Sequence, residues 1–132
     1  MNERSTAAVD QRRWAILTTR FGGDLRSPTP DQLRAAAFEL ENEALPRMTE
    51  ADYAEHPSAW LRSGTDDGPT LVLEFDRHGR AKLEHWADSD FETQVEPPAI
   101  GVAGTAERMV RLWTLLADGD LDSVKRILSE QP

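Results

Sequence analysis

His56, His78 and His85 are the only histidines in the chain, so any imidazole base or zinc ligand must come from these three. None stands in a metal-binding spacing. Asp52, Glu55 and His56 crowd together just before Pro57, and a carboxylate beside an imidazole is the arrangement used in general acid and base catalysis. The same run reads more simply as an exposed acidic loop. His78 falls in a turn, and His85 closes the apolar face of a strand, where a hydrogen-bonded structural role is expected. Asp88, Asp90 and Glu92 alternate like the opening of a calcium loop, but Thr93 occupies the position where the sharp turn needs glycine. Asp118, Asp120 and Asp122 fail in the same way, with Ser123 at the glycine position and Ser129 at the closing one. Gly22-Gly23-Asp24 precedes no GKS or GKT string, and no nucleophile elbow is present. We therefore expect no catalytic residues, no metal and no cofactor.

The charge balance narrows the partners. Among 132 residues, 24 are acidic and 15 basic, a net charge of -9. Nucleic-acid affinity rests on Lys and Arg displacing counterions, so nucleic acid is not an expected partner. A basic protein is, because the same field would speed its approach. With no cysteine there is no disulfide framework and no thiolate site, which fits the cytosol. The opening Met1-Asn-Glu-Arg-Ser-Thr lacks the apolar run of a signal peptide, and later apolar stretches are too short to span a bilayer. A cytoplasmic protein with no membrane partner is expected.

The length suits one domain. We divide the chain into a flexible N-terminal segment, 1–12, and a single α+β domain, 13–132. Residues 13–21 are rich in aromatic and β-branched types before Gly22-Gly23, which favours a strand over the competing helix. Thr29, Pro30 and Gln32 form a helix start with a capping box, and the stripe Leu33, Ala36, Ala37, Leu40, Ala44 carries the helix to about Leu45, before Pro46. Ala59-Trp60-Leu61 reads as a short strand. Then Leu71, Leu73 and Phe75 alternate on one face, and pairing Phe75 with Ala81 and Leu73 with Leu83 leaves Arg77-His78-Gly79 as the hairpin loop. That register also sets Asp76 against Arg80 and Glu74 against Lys82. Residues 86–98 read as irregular. Thr105 caps a helix to about Ala117, Gly119 ends it, and Asp120 or Asp122 starts a last helix with Leu121, Val124 and Leu128 inward. The expected fold is α+β: a small, largely antiparallel sheet with a central β-hairpin and helices packed on one face.

Acidity is concentrated. Residues 41–68 hold seven acidic groups against two Arg, and 84–96 hold five against none. Within or beside these stretches lie Tyr53, Trp60, Trp86 and Phe91, and an aromatic anchor rimmed by carboxylates is the composition of a hot spot for a basic protein. The expected partner-binding residues are Asp52, Tyr53, Glu55, Trp60, Asp66, Asp67, Trp86, Asp88, Asp90, Phe91 and Glu92. By the hairpin register Trp86 points away from the Leu71, Leu73 and Phe75 face, with Thr70 and Val72, where it is either an interface residue or core under a second layer.

The order of features is a segment ending Arg20-Phe21-Gly22-Gly23, the Thr29-Pro30-Asp31-Gln32 helix start, Glu55-His56-Pro57 leading to Trp60-Leu61, and a hairpin. The Leu112-Trp113 helix and Gly119-Asp120-Leu121 follow. From about residue 13 onward, this order resembles the small acidic immunity proteins of bacterial polymorphic-toxin and contact-dependent inhibition systems. The resemblance implies a non-enzymatic inhibitor that binds a cognate toxin domain; it transfers no individual binding residue. An alternative is an NTF2-like small-molecule-binding protein or enzyme with a His/carboxylate pair in an apolar pocket. The string Gly119 to Leu128 is similar to helical segments there, although in that superfamily such a segment usually lies near the beginning.

Overall fold

The computed structural model describes residues 13–20, 22–41, 51, 58–66 and 68–130. The N-terminal segment 1–12, the helix end near Leu45, and Phe21, Asp52, Tyr53, Glu55, His56 and Asp67 lie outside the described residues. Six strands, β1 (Trp14–Thr18), β2 (Asp24–Arg26), β3 (Ser58–Gly64), β4 (Thr70–Asp76), β5 (Arg80–Trp86) and β6 (Gln94–Val102), form one antiparallel sheet in the order β2-β1-β3-β4-β5-β6. Three helices are described: α1 (Pro30–Glu41), α2 (Ala106–Ala117) and α3 (Leu121–Ser129). The fold is α+β, with the helices on one face of the sheet.

Alternation decides which face they cover. Leu17, Ala59, Leu61, Leu71, Leu73, Phe75, Ala81 and Leu83 form one core with Leu33, Ala36, Ala37 and Leu40 of α1, Met109, Leu112, Trp113 and Leu116 of α2, and Val124 and Leu128 of α3. The side chains between them in sequence, including Ile16, Trp60, Arg62, Val72, Glu74, Lys82, Glu84 and Trp86, are placed on the opposite face by the two-residue period of a strand.

Local chemistry sets the element ends. Thr29 Oγ1 accepts from the Gln32 N–H at 3.2 Å while Gln32 Oε1 accepts from the Thr29 N–H at 2.9 Å, a complete capping box for α1. Thr105 caps α2 and Asp120 caps α3 through the N–H groups of Arg108 and Ser123. In the β4–β5 hairpin Phe75 faces Ala81, Leu73 faces Leu83 and Glu74 faces Lys82. Asp76 accepts from the His78 and Arg80 N–H groups and binds Arg80 Nε at 2.8 Å. Gly79 takes φ +77, where an added Cβ would also come within 2.9 Å of the Gly104 nitrogen, so both conformation and space demand glycine.

Two strands depart from expectation. Residues 94–102, half of which read as irregular, form β6, and 24–26 form β2. Pro97 and Pro98 mask β6 in the sequence because proline donates no ladder hydrogen bond. Here they sit on an edge strand, in an interval between the Leu83–Ala99 and His85–Glu96 pairs where the register shifts. β2 is only three residues long and takes its order from β1. β3 extends to seven residues, beyond the expected Ala59–Leu61.

Trp113 is fully buried, its ring centroid 5.0 Å from that of Phe75, and its Nε1 donates to the Leu73 carbonyl at 2.9 Å. Trp113→Ala should cost about 3–5 kcal/mol through cavity formation. Trp113→Phe should cost about 1–3 kcal/mol, combining lost volume with a lost buried hydrogen bond. Urea denaturation followed by circular dichroism measures both.

Candidate functional site

The face of the sheet opposite the helices carries three of the four tryptophans. Trp14 lies against Gly64, where an added Cβ would approach its ring to 3.0 Å, and Trp60 and Trp86 help to line a shallow groove of about 390 Å³. Arg62, Val72, Glu74, Lys82, Glu84 and Phe91 complete the lining. All three tryptophans are half-buried. Trp86 is therefore outside the helix-covered core, as the hairpin register requires.

The charges along the groove are largely balanced. Lys82 Nζ stands 3.7 Å from Glu74 and 3.6 Å from Glu84. Ser58 Oγ donates to Glu74 at 2.5 Å, and Trp86 Nε1 donates to Glu84 at 3.1 Å. Arg62 lies 3.7 Å from Asp24. The groove is consequently amphipathic, with apolar rings between ion pairs, and its own carboxylates add little to the acidic excess.

Four further carboxylates stand at one end of the sheet. The antiparallel order puts the β3–β4 turn and the β5–β6 loop at the same end, so Asp66 is brought to the end that bears Asp88, Asp90, Phe91 and Glu92. The loop is closed by Ala87 N–H donating to the Thr93 carbonyl at 2.8 Å, and Asp88 accepts from the Asp90 N–H at 3.0 Å. Phe91 adopts φ 58, a left-handed conformation strained for a bulky side chain. Its ring meets Trp86 edge-on, with centroids 5.5 Å apart and planes at 89°. The loop that carries Asp88, Asp90 and Glu92 thus holds an aromatic ring against the groove, at a backbone cost.

No known family model, curated protein or solved structure matches this chain. No described helix is long and apolar enough to cross a membrane. Of the candidates, Trp60, Trp86 and Phe91 line the groove, and Asp66, Asp88, Asp90 and Glu92 lie at the end of the sheet that bears Phe91. Asp52, Tyr53, Glu55 and Asp67 fall outside the described residues. Arg62, Val72, Glu74, Lys82 and Glu84 were not among the candidates. The strand period places all five on the Trp86 face, but in a sequence ion-paired charges look like ordinary sheet surface.

His85 belongs to the other side. Its Nδ1 lies 3.1 Å from Glu96 Oε2, which also accepts from Lys125 Nζ at 2.7 Å, so β5, β6 and α3 are clamped through one carboxylate. The Lys125 hydrogen bond, and after it the His85 contact, hold the Glu96 carboxyl below its ordinary pKa. A group that binds its proton more weakly when folded stabilises the fold above the ordinary glutamate range. That contribution is lost as pH falls through the folded-state value. Glu96→Gln should therefore flatten the acid limb of a plot of urea midpoint against pH while lowering the midpoint at neutral pH.

Proposed function

We propose that this chain is a non-enzymatic immunity protein, which binds and neutralises a cognate, basic bacterial toxin domain in the cytoplasm. The observation that carries this reading is the pair Trp86 and Phe91, lining an amphipathic groove at the end of the sheet that also bears Asp66, Asp88, Asp90 and Glu92. Accessible aromatic rings supply apolar contact at little entropic cost, and carboxylates at the same end of the sheet would steer a cationic partner. Backbone strain at Phe91, a residue with an exposed ring, supports a binding role, with the edge-on contact to Trp86 holding that ring in place.

The small-molecule alternative requires a histidine and a carboxylate in an apolar pocket. His85 does contact Glu96, but Lys125 shares that carboxylate, and His85 does not line the tryptophan groove. The docking reading is favoured.

The test is co-expression with the protein encoded by the adjacent gene, followed by co-purification and by kinetic measurement of binding. Trp86→Ala should weaken binding by at least about 2 kcal/mol, roughly thirtyfold. Phe91→Gly relaxes the left-handed backbone, so stability should stay within about 1 kcal/mol of the parent while affinity falls. Changing Asp88, Asp90 and Glu92 together to Lys should slow association and reduce its salt dependence, with little effect on the thermal midpoint. Failure to bind the neighbour-encoded protein at low and physiological salt, or binding indifferent to all these variants, would reject the proposal.

A further inference from the structure

The described residues of this acidic chain also build one concavity of opposite character. Arg108 and Arg111 of α2 and Arg126 of α3 line a pocket of about 450 Å³, with Leu112, Ile127 and the acidic Glu130 completing its lining. Among the described residues, none of the three guanidinium groups has a carboxylate within ion-pair distance or a hydrogen-bond acceptor. Arg126 has only a Coulombic influence on Asp120. The contrast is with Arg13, Arg34, Arg62 and Arg80, each of which meets a carbonyl or carboxylate oxygen. Arg108 also stands in the first turn of α2, where the helix dipole disfavours a cation, and three residues from Arg111, where like charges repel. Local helix energetics therefore do not explain their placement. An anion held between them would remove both penalties.

We infer that this pocket binds the phosphoryl group of a small phosphorylated molecule. Three arginines lining one pocket from two helices suit a tetrahedral dianion with several acceptor oxygens, whereas a planar carboxylate is satisfied by the fork of one arginine. The volume exceeds what the phosphoryl group itself fills, and the Leu112 and Ile127 side chains offer apolar contact to the remainder of the ligand. The pocket lies between the helices, away from the tryptophan groove, and stands independently of the toxin-binding proposal.

The experiment follows thermal unfolding and amide NMR shifts of the full chain in low-chloride buffer, with pyrophosphate, adenosine monophosphate and citrate added separately at matched ionic strength. Both phosphates should raise the midpoint, by about 5 °C at a concentration some ten times Kd. Amide shifts should cluster at residues 108–112 and 126–130. Arg111→Ala and Arg126→Ala alter exposed side chains and should each reduce affinity roughly tenfold or more. Arg111→Lys should restore part of it, and Arg34→Ala, on α1, should have no effect. No response to either phosphate, an equal response to citrate, or binding that survives both alanine variants would overturn the inference.

Discussion

Trp113 joins α2 to the middle of the sheet by two interactions at once, ring packing against Phe75 and a hydrogen bond to the Leu73 carbonyl. Around it, Leu17, Leu61, Leu73 and Leu83 from four adjacent strands meet Leu40 of α1 and Leu112 and Leu116 of α2 in one buried cluster. Burial of that single face is the constraint on which the rest depends. A strand can send only alternate side chains toward the helices, so committing Leu71, Leu73 and Phe75 to the core sends Thr70, Val72 and Glu74 to the opposite side.

The opposite side is consequently a by-product of the core register and also the candidate binding surface. Its rings and ion pairs sit on strands whose geometry the core already holds, which makes the groove a rigid platform. Only the Phe91 loop departs from regular structure, and there the backbone carries a strained residue. Rigid strands with one projecting loop suit recognition of a preformed partner, because little ordering entropy remains to be lost on docking.

The net charge of -9 becomes more specific when distributed over this architecture. Glu74 and Glu84 are paired with Lys82, Asp76 with Arg80, Asp24 with Arg62, and Glu96 with Lys125 and His85. The carboxylates of residues 84–96 left outside these ion pairs are those of the β5–β6 loop. The three arginines of the α2–α3 pocket are not among the ion pairs. The molecule thus presents opposite local charge at two separated places, which the overall charge conceals.

Much of the fold was legible in local chemistry. The capping box at Thr29 and Gln32, the caps Thr105 and Asp120, and the hairpin register through Phe75 and Ala81 all depend on residues close in sequence, and each was readable for that reason. The period of two further placed Trp86 on the face away from the core. β6 was not legible, because Pro97 and Pro98 argue against a strand until an edge position and a register shift make them tolerable. Nor could the sequence bring Trp60 to the groove that Trp86 lines, bring Asp66 to the acidic end of Phe91, or join Arg108 and Arg111 to Arg126. Those meetings depend on strand order and on the docking of α3 beside α2, which arise from burying a shared apolar core among segments distant along the chain.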